Sequence, residues 1–208
     1  MRRVVVVLAV LAMLTLALPM AAWANTIDIL NTFGGGSVST AGIDITSAFL
    51  KSFNGFTAPK QQILGFVTFG TGAFTPAVAG GTLRGNGTFS SVGSWFDITG
   101  NGAYHQPKGV IFSGVFVGPI DWTMTSAPGS HKLTFTLTGE IKGMLLGHLA
   151  YGTTTQYFWS TNYQFGKGII HPISGITHLT AAPEPGTLGL LGTGLIGIAG
   201  IMRRRKTS

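Results

Sequence analysis

The sequence contains no cysteine and very little charge: only 9% of its 208 residues are Asp, Glu, Lys or Arg. The lack of cysteine excludes a disulfide framework, a thiolate nucleophile and a cysteine-ligated metal site. With so few charged residues, few ion pairs can form. The chain is instead rich in apolar residues (45%) and has 32 glycines. We therefore expect its stability to come from apolar packing.

The net charge of +7 is concentrated at the two ends of the chain. The start has Arg2 and Arg3, and the end combines Glu184 with four consecutive cations. These ends contribute +2 and +3 of the total, which leaves +2 for the long stretch between them. A basic patch of the kind that binds nucleic acid is therefore not predicted. The terminal cations are Arg203, Arg204, Arg205 and Lys206.

Residues 1–24 have the pattern of a secretory signal peptide. A basic start precedes an apolar run that Pro19 ends, and Ala22 and Ala24 provide the two small side chains that signal peptidase accepts. Cleavage after Ala24 would make Asn25 the mature N-terminus. The alternative is a retained transmembrane helix, but the apolar run is short and no basic cluster follows it.

The C-terminal tail has three parts in order. The first is the tetrapeptide Pro183, Glu184, Pro185 and Gly186, which its prolines keep extended. The second, Thr187–Met202, is uncharged and as a helix would be about 24 Å long, enough to cross a bilayer with local thinning. The third is the basic cluster, which by the positive-inside rule places the C-terminus in the cytoplasm and the body outside. From composition alone, the tetrapeptide is also compatible with a stiff linker.

This three-part order resembles the PEP-CTERM sorting tail of Gram-negative bacteria that produce exopolysaccharide. The resemblance implies that exosortase, a multi-pass membrane enzyme, cuts near the tetrapeptide and passes the protein to the cell surface or extracellular matrix. The signal peptide at residues 1–24 implies signal peptidase as a further partner, and the uncharged segment implies the inner membrane. The rival sortase signal, Leu-Pro-x-Thr-Gly, is not present, because residues 182–186 lack both the Leu and the Thr.

The body, residues 25–182, shows no helical periodicity of useful length and instead has short β-branched and aromatic runs between glycines. In Leu133–Thr138, apolar residues alternate with threonines, which predicts a strand with one buried face. Val110–Val117 is apolar on both faces, which predicts a more deeply buried strand. We therefore predict an all-β, antiparallel β-sandwich or jelly roll, with hairpin turns at Asn54-Gly55, Asn86-Gly87 and Asn101-Gly102.

Together these patterns predict three segments. Residues 1–24 are the signal peptide, 25–182 the β-sandwich body, and 183–208 the sorting tail with a single transmembrane helix at 187–202.

Motifs that carry chemistry are absent from the body. There is no Gly-x-Ser-x-Gly elbow, no His-Glu-x-x-His and no Walker loop, and no cofactor or metal is predicted. His171 and His178 are candidates to converge on a metal, although their spacing is not a recognised ligand pattern. A hydrolase with two catalytic acids stays a less favoured alternative, because none of the body's acids lies in a telling motif. These acids are Asp28, Asp44, Asp97, Asp121 and Glu140.

Aromatic side chains offer the more attractive functional idea. Flat amphipathic rings can stack on sugars, although aromatics in a β-fold are more often part of the core. The candidate stacking residues are Trp95, Trp122 and Trp159, and Tyr151, Tyr157 and Tyr163 offer similar faces. The alternating threonines of 134–138 also resemble one rank of an ice-binding face, but any half-exposed strand shows this pattern. The leading hypothesis is a non-catalytic structural or interaction module, and the alternative is a module that binds exopolysaccharide.

Overall fold

The structure is a computed structural model that describes residues 26–83, 85–125, 133–160 and 167–182. The predicted signal peptide and sorting tail, including the helix predicted at 187–202, lie outside these described residues. Within the described ranges, no helix is long and apolar enough to cross a membrane. Residues 26–181 form one compact unit.

In the described residues, the body consists of eleven β-strands and one 3-10 turn at Ala103–His105. All pairings between these strands are antiparallel. The predicted all-β, antiparallel body is therefore confirmed. The strands are β1 (Thr26–Ser39), β2 (Gly42–Phe53), β3 (Phe56–Thr57), β4 (Gly65–Gly70), β5 (Phe74–Pro76), β6 (Gly87–Phe89), β7 (Trp95–Asn101), β8 (Lys108–Met124), β9 (Leu133–Leu145), β10 (His148–Ser160) and β11 (Lys167–Ala181).

Eight of these strands close into a barrel in the order β8, β7, β4, β2, β1, β11, β10 and β9, and β9 pairs back to β8. One edge of the 17-residue β8 pairs with β9, while its other edge pairs first with β7 and then with β6. The predicted two-sheet sandwich or jelly roll is therefore wrong. Register shifts between several strand pairs increase twist and bend the sheet, which allows one sheet to close on itself.

Side-chain alternation explains which face of each strand is buried. In β9, Phe135 and Leu137 point into the barrel and the threonines point out, as predicted. In β8 the prediction of burial on both faces is wrong, because Val115 and Val117 lie on the outer wall and are exposed. Phe116, between them, is buried. A closed single sheet has no second layer to cover its outer face, so these valines stay in contact with water.

Tight turns connect some of the strands, and only some of these turns are at the predicted dipeptides. Asn54 and Gly55 both have positive φ (48° and 82°) and form the β2–β3 turn, as predicted. The β9–β10 hairpin turn has Leu146 and Gly147 in that conformation (φ 50° and 91°), which a leucine rarely adopts. At Asn86-Gly87, by contrast, the glycine is the first residue of β6 rather than part of a turn.

Aromatic rings fill the barrel interior. Trp122 is completely buried and stacks on Phe135 with 4.5 Å between ring centroids. Phe89 meets the same indole edge-on at 5.6 Å, and the indole Nε1 donates a hydrogen bond to the carbonyl oxygen of Leu83 at 3.0 Å. Burial of an aromatic ring that also has its polar atom satisfied is strongly stabilising.

A small polar cluster is also buried inside the barrel. Asn31 on β1 and Gln156 on β10 exchange two amide hydrogen bonds, at 2.9 and 3.2 Å, and Gln156 also donates to the Thr154 hydroxyl at 2.8 Å. Thr154 shares a further hydrogen bond of 2.8 Å with Thr177. Because each of these side chains has a partner, the cluster avoids the penalty of unsatisfied buried polar groups.

Gly175 makes this amide pair possible. It lies on β11 directly between Asn31 and Gln156, so the two side chains meet above a residue that has no side chain of its own. A Cβ at this position would fall on the side-chain oxygens of Gln156 and Asn31.

We therefore expect Gly175→Ala to destabilise the protein by about 2–4 kcal/mol, because it separates the buried amides. Urea unfolding followed by tryptophan fluorescence measures this loss. The matched control is Gly35→Ala on β1, where a Cβ would meet no heavy atom within 4 Å. The control should change stability by less than about 0.5 kcal/mol. Equal losses in the two variants would contradict the role given to Gly175.

Candidate functional site

The three tryptophans proposed to stack on sugars lie in different environments. Trp122 has 0% of its surface exposed, so it presents no face to a ligand and its assignment as a sugar platform is wrong. The packing that buries it, between strands distant in sequence, is not visible in the local pattern. Trp95 and Trp159 are half-buried, and the Trp159 ring stacks on His171 with 4.6 Å between centroids.

Strand β10 carries an outward row that does present aromatic rings to solvent. Tyr151 and Tyr157 are 46% and 40% exposed, and half-buried Trp159 continues the row on the same face. Thr153 and Thr155 lie between the two tyrosines. Adjacent members of the row are about 7 Å apart, and the two tyrosines are about 20 Å apart. The row therefore spans a length suited to an extended ligand.

Short polar side chains border the aromatic row on both neighbouring strands. Thr136 and Ser174 flank Tyr157, and Thr138 lies opposite Thr155 with 3.5 Å between their hydroxyl oxygens. The outward position of these β9 threonines is the one expected from their alternation. The outer wall of β9, β10 and β11 thus combines flat rings with hydroxyl groups, a combination that can stack on and hydrogen-bond to sugars.

A shallow open groove of about 470 Å³ lies at one end of the aromatic row. Its lining includes Glu140, Lys142, Tyr151, Thr153 and Thr180. The Lys142 Nζ lies 5.4 Å from the centroid of the Tyr151 ring, within the range of a cation–π interaction. The groove therefore offers an aromatic ring, a cation, a carboxylate and hydroxyls within a small area.

The two histidines considered as metal ligands do not converge. His171 stacks on Trp159, and His178 lies seven residues further along the same strand, on the order of 20 Å away. His178 Nδ1 is 2.6 Å from a carboxylate oxygen of Asp28, and both side chains are more than half exposed. An exposed pair of this kind contributes little to stability. In the part of the chain that the structure describes, no group of three metal-ligating side chains occurs.

The five acids of the body lie on five different strands: β1, β2, β7, β8 and β9. Asp121 and Glu140 are on paired strands, offset by two residues, because Asp121 lies opposite Thr138. Both are exposed on the outer wall, and only Glu140 lines the groove. Glu140 is the one acid among the described residues that line this groove, whereas a two-carboxylate hydrolase needs two acids in one cleft.

Sequence reasoning singled out tryptophans and gave less weight to the tyrosines that the structure exposes. The signal was present as strict alternation, because the aromatic and threonine residues occupy every odd position from 151 to 159. The predicted signal-cleavage residues, Ala22 and Ala24, and the residues of the sorting tail lie outside the described ranges.

Comparison with known proteins gives one finding. A family model for the PEP-CTERM protein-sorting motif matches residues 181–206, beginning at the last residue of β11. Neither a curated protein nor a solved structure matches the chain. The matched residues contain the Pro183–Gly186 tetrapeptide, the uncharged segment and the basic cluster. The chain therefore carries a PEP-CTERM protein-sorting motif at residues 181–206.

Proposed function

We propose that this protein is a non-catalytic interaction module of the cell surface or extracellular matrix. Its sorting motif implies an exported protein that exosortase sorts, with a membrane-associated precursor. In the proposal, signal peptidase cuts after Ala24 and Thr187–Met202 crosses the inner membrane, with the basic cluster in the cytoplasm. Exosortase then cuts near Pro183–Gly186.

The position of the last strand supports this proposal. Strand β11 ends at Ala181, and the tetrapeptide begins two residues later at Pro183. Among the described residues, the hydrophobic core runs from Ile29 to Leu179. A cut at the tetrapeptide therefore removes none of the described strands and none of the described core residues, so the product keeps all eight strands of the barrel.

A non-catalytic role fits the arrangement of polar groups. The buried amides and threonines of the Asn31–Gln156 cluster hydrogen-bond to one another, and the exposed acids lie on the outer wall, where water screens them. A fold of this kind holds a surface in a fixed shape, which suits recognition of a partner.

Processing is the first test of the proposal. We expect a mature form that begins at Asn25 and ends near Pro183 in envelope or culture fractions, and a longer form retaining the tail in a strain that lacks exosortase. Intact-mass spectrometry of the two strains distinguishes these forms. An intact tail in the mature protein of the parent strain, with no dependence on exosortase, would contradict the sorting role.

A second candidate function, binding of the cell's own exopolysaccharide, rests on the outward row of β10. Tyr151 and Tyr157 leave nearly half of their surface free, and hydroxyl groups border them on both sides. Tyrosine offers a rigid flat surface at low conformational cost. A polysaccharide lying along β10 would contact both rings in succession.

We expect Tyr151→Ala and Tyr157→Ala each to weaken binding to purified exopolysaccharide about tenfold, the equivalent of ~1.4 kcal/mol for one lost aromatic contact. Affinity electrophoresis in gels containing the polysaccharide measures this change. Tyr104→Ala is the matched control, because Tyr104 is 42% exposed but lies in the β7–β8 connection, away from the row. Binding unaffected by both row variants, or weakened equally by the control, would exclude this surface.

A further inference from the structure

The two ends of the body leave the barrel side by side. Thr26, the first residue of β1, pairs with Thr180, the penultimate residue of β11. The connections 54–64 and 102–107 and the β9–β10 turn at 146–147 belong to the same end of the barrel. We name this end the tail end. We propose that it docks on the surface of an anionic phospholipid bilayer while the sorting tail is attached, a proposal that rests on the membrane insertion proposed above.

The length of the connection limits how far the tail end can be from a membrane. Five residues, 182–186, separate Ala181 from the uncharged segment that begins at Thr187. Fully extended, this connection spans on the order of 20 Å. With the uncharged segment inserted, the tail end must therefore lie close to the lipid headgroups. The opposite end is about 30 Å further away along the strands.

Apolar side chains protrude from the tail end. Leu146 is 48% exposed at the tip of its hairpin, and Val110 is 63% exposed near the start of β8. Leu146 is also in the left-handed conformation, where glycine and asparagine are favoured. The left-handed backbone does not favour leucine at this position, and contact with water does not stabilise its exposed apolar side chain. Insertion into the boundary between headgroups and acyl chains would bury it.

The charge of the tail end suits an anionic surface. Lys60 and Lys108 are exposed there, and the segments 54–64, 102–110 and 146–149 contain no acid. The acid of β1 nearest this end, Asp28, is exposed and has His178 as its partner, with 2.6 Å between the carboxylate oxygen and Nδ1. Lys51 braces the first segment by donating from Nζ to the carbonyl oxygens of Pro59 and Gln62, at 2.8 and 2.6 Å. Lysines near a membrane surface are attracted by anionic lipids.

The experiment uses the full chain, which has no cysteine, so that a single introduced cysteine can be labelled with a fluorophore. The test variants are Leu146→Cys and, as a second position at the tail end, Val110→Cys. The matched control is Val92→Cys, an apolar residue 82% exposed in the β6–β7 connection at the opposite end. Each variant is reconstituted in vesicles of phosphatidylcholine and phosphatidylglycerol that carry a lipid-borne quencher.

Labels at 146 and 110 should be quenched about twofold, as expected for side chains a few ångström below the headgroups, while the label at 92 keeps its fluorescence. Charge reversal in Lys60→Glu with Lys108→Glu should reduce quenching at 146, as should vesicles of phosphatidylcholine alone.

Equal fluorescence at all three positions in protein that floats with the vesicles overturns the docking proposal and leaves membrane insertion intact. Protein that does not float overturns both. A label at 146 that is shielded only when exosortase is added would assign the surface to the enzyme and also overturn lipid docking.

Discussion

Backbone hydrogen bonds between β8 and β9 join what would otherwise be the two edges of an open sheet. This closure creates an interior, and the interior has to provide nearly all the stability of a body with so few charges and no disulfide. It does so with aromatic rings centred on Trp122 and Phe135. Closure also protects the long strands from pairing with other chains, a hazard for any exposed strand edge.

The interior is not uniformly apolar, and its polar part has a different role. The amides of Asn31 and Gln156 satisfy each other across β11, so they add little net free energy compared with an apolar pair of the same shape. They do, however, link three neighbouring strands in one register, because a shift of β11 by one residue would replace Gly175 with a side chain. The cluster therefore fixes the register of these three strands and contributes little to stability through burial.

Local patterns predicted what depends on neighbours in sequence. The alternation in β9, the antiparallel all-β class and the Asn54-Gly55 turn follow from side-chain periodicity and backbone preference, and the structure has each of them. Closure of the sheet, burial of Trp122 and exposure of Val115 depend on which distant strands pair, and no local pattern encodes that choice. The sorting motif could be predicted because it consists of consecutive residues and does not depend on strand pairing.

Pairing of the first strand with the last has a consequence for the time at which the barrel folds. In the proposed scheme the chain is exported from its N-terminus, so β1 emerges early, yet one of its edges has no partner until β11 follows. The barrel therefore cannot complete its wall during most of translocation, and contacts of such long sequence separation form slowly. In the proposed scheme, the tail halts export just after β11 has crossed. Export therefore stops at the point at which β11 can pair with β1 and complete the barrel.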